Sequence, residues 1–222
     1  MKKFTLLDGA ALVVWLLPAV YLWIIFPALP QTVAVHWGLN GTVDRYGTKN
    51  EFLIGPSVLI GVSGLVYLLL KFLPAIDPKK QIKYGQDTFQ KLALGLVIFL
   101  AALNIAIIYA TVNHGFQIDK LIFPLIGLFF AFLGNLMNSI KPNYFAGIRT
   151  PWTLESEDNW RATHRLAGKI WFVGGIIITI VMLFLPPKAG TIFFTIFVCV
   201  MALIPIIYSF VYFKKHQVNQ NS

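Results

Sequence analysis

Residues 92–118 have the sequence LALGLVIFLAALNIAIIYATVNHGFQI, which contains no Asp, Glu, Lys or Arg. A helix that crosses a bilayer needs about 20 mostly apolar residues, so this stretch is long enough to span one. Lipid cannot satisfy free backbone groups and the alternating pattern of a barrel does not occur, so a helix is required. The other stretches with the same property are Gly9–Pro30, Phe52–Leu70, Leu121–Ile140, Ile170–Pro187 and Ala189–Phe213. The sequence therefore predicts six transmembrane helices.

The composition agrees with this prediction. Of the 222 residues, 57% are hydrophobic and only 12% are charged, whereas roughly a quarter of a soluble domain is charged. Little chain remains outside the six spans, so residues 1–222 are expected to form one all-α integral membrane domain. The first span follows Lys2 and Lys3 but is longer than a signal-peptide core and lacks a small-x-small cleavage site, which favours an uncleaved helix.

The net charge of +9 is explained by orientation in the membrane. If the N-terminus is cytoplasmic, six spans also place the C-terminus inside, and 14 of the 18 Lys and Arg residues fall on inside segments. The outside segments hold Arg45, Lys49, Lys120 and Lys188. The positive-inside rule favours this arrangement. We therefore expect both termini in the cytoplasm, contact of the basic segments with anionic membrane lipids, and no nucleic-acid partner.

Metal and cofactor chemistry is not expected. Cys199 is the only cysteine, so neither an intramolecular disulfide nor a cysteine metal site can form. None of the histidines has the i, i+4 partner that is typical of helical zinc sites. His36 and His164 should lie on opposite faces of the membrane. We predict no metal and no cofactor, and the lack of ionisable groups at the centre of any span argues against ion-coupled transport.

Small and polar residues predict where the helices meet. Ser57 and Gly61 form a small-xxx-small pair, which permits close helix approach, and Gly174–Gly175 is a second candidate. Polar groups at membrane depth are expected to form hydrogen bonds between helices. These are Asn104, Asn135 and Asn138.

The first connection, residues 27–54, is predicted to be an extracytoplasmic loop with defined structure. Val33, Val35 and Trp37 alternate with other residues at the period of a strand, and residues 40–41, Asn-Gly, are a turn signal. We expect a short extended segment and a tight turn, with Asn50 and Glu51 as a cap for the second span.

The same connection carries the first set of candidate binding residues, which are His36, Trp37, Asn40, Gly41, Asp44 and Lys49. His36 and Asp44 are expected to form a hydrogen-bonded pair, and Lys49 is suited to an anionic group. The alternative is a structural role, with Trp37 and Tyr46 in the aromatic belt at headgroup depth. We favour structural or binding roles over catalysis, because acid–base work usually needs a nucleophile or a metal beside the pair.

The fourth connection, residues 141–165, is predicted to be a cytoplasmic loop. Gly147 suits a backbone geometry closed to other residues, and Ser156 is expected to cap a helix that continues with acids in its first turn. That helix would place Trp160 and His164 one turn apart on one face. The candidate binding residues here are Asn143, Gly147, Arg149, Thr150, Trp152, Trp160 and His164.

Two roles are open for this loop. In one, Arg149 forks two hydrogen bonds to a phosphate or carboxylate, and Trp152 and His164 complete a site at the inner interface. In the other, the same residues fasten the fourth span to the fifth. Both can hold, since a packed loop also makes a rigid site.

The two connections resemble those of the SdpI family of bacterial multi-pass membrane proteins. In the fourth connection the resemblance covers Asn143, Gly147, Ile148, Arg149, Thr150, Trp152, Thr153, Leu154, Trp160 and His164, and in the first it covers His36, Gly41, Asp44 and Lys49. The resemblance implies an immunity protein in the bacterial cell membrane that binds or neutralises a membrane-active peptide toxin.

Two other function classes stay open. A membrane receptor would report the toxin to a cytoplasmic regulatory protein through a basic inner face made of Lys79, Lys80, Lys83, Arg161 and Arg165. A membrane enzyme acting on lipid or peptide would use His36 with Asp44, or Arg149 with His164. The sequence has no nucleophile motif or metal cluster to support an enzyme, so no catalytic residue is assigned.

Overall fold

The predicted spans form long helices in the computed structural model, which describes residues 4–38, 41–76, 86–113 and 115–218. In chain order the elements are α1 (Leu6–Ile25), a 3-10 turn (Phe26–Ala28), β1 (Thr32–Trp37), β2 (Val43–Thr48), α2 (Lys49–Phe52), α3 (Ile54–Ile76), α4 (Gln86–Val112), α5 (Asp119–Met137), α6 (Pro151–Glu155), α7 (Glu157–Phe184) and α8 (Pro187–Val218). Among the described residues, 6 helices are long and apolar enough to cross a membrane. The six-helix prediction is confirmed.

Successive spans alternate in direction, so the connections alternate between two ends of the bundle. The hairpin end carries β1, β2, residues 115–118 before α5 and residues 185–186. The clamp end carries the start of α1, the end of α8 and residues 138–156. Lys120 Nζ donates to Leu185 O over 2.5 Å at the hairpin end, and Trp152 Nε1 donates to Ser209 Oγ over 2.5 Å at the clamp end. His36 and His164 therefore lie at opposite ends, while the orientation of the ends in the membrane stays a prediction.

The tightest helix packing is between α5 and α7. A Cβ atom at Gly134 would clash with the backbone nitrogen of Phe172, and a Cβ at Gly175 would clash with the backbones of Gly127 and Ala131. Small residues let two backbones approach this closely, and van der Waals contact is a main driving force for helix association in lipid. The predicted close approach at residue 175 is therefore confirmed.

The other predicted small-residue contact is wrong. Ser57 and Gly61 are both exposed on α3, and no atom of the described residues lies within 4 Å of a Cβ built at Gly61. Glycine removes a steric barrier to close packing but does not recruit a neighbour by itself. α3 instead contacts α4 through Asn104, whose Nδ2 donates to Pro56 O over 3.0 Å, as predicted for this asparagine. Asn135 and Asn138 are exposed.

An ionic cluster joins α1 to α3 at the clamp end, and the sequence analysis did not anticipate it. Asp8 is 3% exposed; it accepts a hydrogen bond from Tyr67 Oη and lies 3.1 Å from Lys71 Nζ. Asp8 also closes a capping box with Thr5, whose backbone nitrogen donates to Asp8 Oδ2 over 2.7 Å. A carboxylate buried in a bundle needs such partners, because an unpaired one is costly.

Tyr67→Phe is expected to destabilise the bundle, because it removes a hydrogen bond to the buried carboxylate of Asp8. A bond to a charged group contributes about 1.5–3 kcal/mol, so the free energy of unfolding should fall by about that amount. Titration of the purified protein with sodium dodecyl sulfate, followed by circular dichroism, measures the change. Tyr109→Phe, at an exposed tyrosine of α4, is the matched control. Equal midpoints for the two variants would contradict the prediction.

Candidate functional site

The first connection folds as a β-hairpin that is packed on the bundle. β1 and β2 are antiparallel, with Thr32 opposite Thr48 and His36 opposite Arg45. Val33 is 0% exposed and belongs to a core with Leu22 and Ile108 of α1 and α4. The predicted extended segment is confirmed, and residues 43–48 add a second strand to it. Because its inner face is buried, the hairpin is held at a fixed position above the helix ends.

The hairpin turn is built around Gly41. This residue has φ of 74°, and its backbone nitrogen donates to Gly38 O over 2.9 Å. A Cβ atom at this position would clash with the carboxylate of Asp119 at the start of α5. Glycine is therefore required here both for its conformation and for space. Asn40, the neighbouring candidate, lies outside the described residues.

The capping prediction for the second span is corrected by the structure. The cap of α2 is Thr48, whose Oγ1 accepts from Glu51 N over 3.1 Å, and not Asn50. Asn50 lies inside the short helix Lys49–Phe52. The cap falls two residues earlier because β2 delivers Thr48 in an extended conformation, with φ of −73° and ψ of 155°. An N-cap residue needs such a conformation.

The predicted His36–Asp44 pair is present, with Nδ1 of His36 2.6 Å from Oδ1 of Asp44. Their side chains are 63% and 48% exposed, and an exposed pair of this kind contributes at most about 1 kcal/mol to stability. Lys49 lies over the ring of Phe26, with Nζ 5.2 Å from the ring centroid. These polar groups are presented at the surface of the hairpin and are available to a partner there.

A pocket of about 390 Å³ lies between the hairpin and the ends of α3, α4 and α5. Apolar residues of these helices line most of it, among them Leu59, Ile107 and Ile122. Trp37 and Asp119 are among the residues that line it. Each carries a buried polar atom, Nε1 of Trp37 and Oδ1 of Asp119, that has no hydrogen-bond partner among the described residues. The pocket therefore combines an apolar wall with an unsatisfied donor and an unsatisfied acceptor.

The fourth connection is a closed structure, here named the clamp (residues 138–165). Asn143, 3% exposed, organises its first turn. Its Oδ1 accepts from the backbone nitrogens of Phe145 and Ala146 over 2.7 and 2.8 Å, and its Nδ2 donates to Lys141 O over 2.8 Å. The side chain thus replaces the backbone partners that a regular element would supply.

His164 and Trp160 form the buried centre of the clamp. Their rings stack with centroids 4.1 Å apart. Nδ1 of His164 lies 2.8 Å from Trp160 O, and Nε2 accepts from Ile148 N over 3.1 Å. A carbonyl can only accept and a backbone N–H can only donate, so Nδ1 carries the proton and the ring is neutral. Gly147, with φ of 111°, passes directly over this pair. Both nitrogens of the imidazole are therefore engaged within the protein.

The remaining clamp residues tie it to α8. Thr150 and Thr153 form a capping box at the start of α6, while Trp152 donates to Ser209 Oγ. Asn159, 0% exposed, donates from Nδ2 to Ser209 O over 2.9 Å. The predicted Ser156 cap is confirmed, since its hydroxyl accepts from Asn159 N. The clamp therefore fastens α7 to α8 as well as to α5.

Arg149 is exposed, whereas Asn143, Trp160 and His164 are buried. Its Nη1 donates to the carbonyl of Tyr144. A basic cleft of about 580 Å³ lies nearby and is lined by Lys141, Arg161, Arg165 and Lys169, with Glu157 as its acid. Lys79, Lys80 and Lys83, which complete the proposed basic face of a receptor, lie outside the described residues.

The structure thus brings the candidates together in two groups that do not meet. The hairpin group holds His36, Trp37, Gly41, Asp44 and Lys49, and the clamp group holds Asn143, Gly147, Arg149, Thr150, Trp152, Trp160 and His164. Within residues 4–38, 41–76, 86–113 and 115–218, no group of three or more His, Cys, Asp or Glu is arranged to hold a metal ion.

Sequence analysis missed Asp119, Asn159 and Ser209. An acid in the first turn of a helix is ordinary, because the helix dipole favours it. Nothing in the sequence indicates that Asp119 lies under a hairpin turn that is 78 residues earlier in the chain, at Gly41. Ser209 is a small residue inside an apolar span, and its partnership with Trp152 depends on tertiary packing.

Comparisons with known proteins cover both groups. The model of the SdpI/YfhL protein family matches residues 139–209, and that of a domain of unknown function (DUF1648) matches residues 13–60. The chain is 26% identical over 192 residues to the immunity protein SdpI of Bacillus subtilis (strain 168). The aligned region covers 86% of this chain and 88% of that protein. No solved structure matches the chain significantly.

Proposed function

We propose that this chain, whose residues 139–209 match the model of the SdpI/YfhL protein family, is an immunity protein that binds and neutralises a membrane-active peptide toxin at the hairpin end of the bundle. The chain is a multi-pass protein of the cell membrane, as its six apolar helices and its similarity to an immunity protein require. That similarity supports the immunity role. The proposal adds that the partner is a peptide toxin and that it binds at the hairpin end.

The observation that carries the proposal is the pocket under the hairpin. It is mostly apolar, but it contains the unsatisfied Trp37 and Asp119 groups, and the exposed His36–Asp44 pair lies at the hairpin beside it. Ligand sites are typically apolar clefts of 300–1,000 Å³ with a few convergent polar groups. A peptide that inserts into lipid has the matching combination of apolar side chains and hydrogen-bonding backbone.

We assign the clamp a supporting role. Its side chains satisfy one another, as the engagement of both His164 nitrogens shows most clearly. A group whose lone pair and proton are both occupied is poorly suited to act as an acid, a base or a metal ligand. The basic cleft beside the clamp suits the phosphates of membrane lipids, and this matches the predicted cytoplasmic orientation of that end.

Trp37→Ala and Asp44→Ala are each expected to abolish protection. The first removes a wall and a donor of the pocket, and the second removes the partner of His36. The protein is expressed in a toxin-sensitive bacterium that is challenged with a panel of membrane-active peptides. For each peptide against which the unaltered protein protects, the inhibitory concentration should fall at least about tenfold, a loss of about 1.4 kcal/mol or more in binding.

Asp87→Asn is the matched control, since it removes one exposed carboxylate at the clamp end, in the first turn of α4. It should leave the inhibitory concentrations unchanged, and membrane fractionation should show equal amounts of all variants. Full protection by both hairpin variants would remove the hairpin from the mechanism. Failure of the unaltered protein to protect against any peptide would count against the proposed function itself.

A further inference from the structure

Asp119 is a buried carboxylate whose charge is not matched by the residues around it. It is 5% exposed, and its Oδ1 accepts no hydrogen bond from any described residue. The adjacent cation does not serve it, because Lys120 Nζ donates to the carbonyls of Met182, Leu183 and Leu185 at the end of α7. A polar group buried without a partner is costly, and in a membrane protein it usually marks a functional site.

The surroundings of Asp119 define what can reach it. Asp119 is one of the residues that line the pocket under the hairpin, together with Ile118, Ile122 and Ile107. Its carboxylate packs directly under Gly41, which lines the same pocket. Among the described residues, the lining contains no Lys or Arg, and its basic side chain His36 is paired with Asp44. A ligand group that is positively charged where it meets Asp119 and apolar along the stem that leads to it matches these surroundings.

The indole N–H of Trp37 adds a second requirement for the ligand. Nε1 of Trp37 is buried at the same pocket without a partner in the part of the chain that the structure describes. An indole N–H can only donate, so it requires an acceptor such as a peptide carbonyl. A lysine within an apolar peptide offers a cation, a flexible hydrocarbon stem and backbone carbonyls together.

We propose that this pocket binds the ammonium group of a lysine side chain in an apolar peptide, with Asp119 as its counter-ion and Trp37 as a donor to the peptide backbone. The inference rests on the proposed function and names the chemical group of the toxin that is recognised. Phosphatidylethanolamine also carries an ammonium group. Its phosphate would bring a negative charge into a pocket whose described lining residues include no Lys or Arg to receive it, so the peptide is the better match.

The test uses the full-length protein in nanodiscs of phosphatidylcholine and phosphatidylglycerol. The probe is the tripeptide acetyl-Leu-Lys-Leu-amide, whose single positive charge is the lysine ammonium, and the matched probe carries an acetylated lysine. Isothermal titration calorimetry should show saturable binding of the first probe and at least tenfold weaker binding of the second. Asp119→Asn should reduce binding of the charged probe at least tenfold and leave the acetylated probe unaffected, while Asp87→Asn should bind both probes as the unaltered protein does.

Each result has one meaning. The inference would be overturned if the two probes bind equally well, or if the charged probe does not bind. It would also be overturned if Asp119→Asn binds the charged probe as well as the unaltered protein does. If binding of the charged probe is abolished when phosphatidylethanolamine is added to the nanodiscs, the lipid is the occupant and the peptide assignment is overturned. The toxin challenge tests the immunity function separately. If the unaltered protein protects but binds both probes equally, the lysine site is rejected and the immunity function still holds.

Discussion

Gly147→Val should cause the largest loss of stability at the clamp end. The backbone at this position has φ of 111°, a conformation in which a β-branched residue is a strong outlier. A Cβ atom would also clash with Nε2 of His164 and lie 3.1 Å from the ring of Trp160. The strain costs about 1–3 kcal/mol, and separation of His164 from Ile148 would leave buried groups unpaired at a similar cost. We expect a total of about 3–5 kcal/mol, measured by detergent titration.

Gly61→Val is the control for this change. It adds the same side chain to a glycine in α3 that has no atom of the described residues within 4 Å of its Cβ position. The exposed face of α3 can accept valine in contact with lipid, so the midpoint of unfolding should stay close to that of the unaltered protein. A similar midpoint for both variants would mean that the clamp does not hold its geometry through Gly147.

The six spans were predictable because they depend on a single quantity, the length of chain without charge. The hairpin was predictable only in part. In β1, Val33 and Ala34 are buried, and Val33 packs against α1 and α4, whereas β2 has no buried residue. A strand without a buried face has no hydrophobic period, so residues 43–48 gave no signal of their own.

The many Trp, Arg, His and Gly residues of the fourth connection indicated the position of the clamp in the sequence. They did not indicate which hydrogen bonds form inside it. Ser156 was identifiable as a cap because capping is a local interaction between residues close in sequence. The bond from Ile148 N to His164 Nε2 spans 16 residues and depends on how the loop closes. The pairing of Asp119 with the hairpin turn is more remote still. Local rules therefore found the positions of the candidate residues and missed the partners that decide their roles.

The close contact between α5 and α7 was not predicted for a different reason, which is the spacing of its glycines. Gly127 and Gly134 are seven residues apart, as are Gly168 and Gly175. Seven residues are close to two helical turns, so each pair lies on one face. The small-xxx-small template has a spacing of four and selected Ser57 and Gly61 instead. A search for glycine at both four- and seven-residue spacing would have identified the seam that the structure shows.

Gly175→Ala should separate α5 from α7 and weaken the bundle. The added Cβ would meet the carbonyl oxygen of Gly127 and the backbone of Ala131, and backbone atoms cannot move aside without displacing a whole helix. Overpacking costs about 1–3 kcal/mol where side chains can adjust, so we expect about 3 kcal/mol or more here. Detergent titration gives the change in the free energy of unfolding.

The adjacent glycine provides the control that distinguishes close backbone contact from general crowding. The three atoms nearest to a Cβ at Gly174 all belong to the side chain of Met201, and the flexible thioether can change rotamer to make room. Gly174→Ala should therefore cost about 1 kcal/mol or less. If the two variants unfold at the same detergent concentration, the close approach of α5 and α7 does not stabilise the bundle. If only Gly175→Ala is weakened, the backbone contact between α5 and α7 stabilises the bundle, and this contact holds in place the helix that begins with Asp119 at the pocket and ends at the clamp.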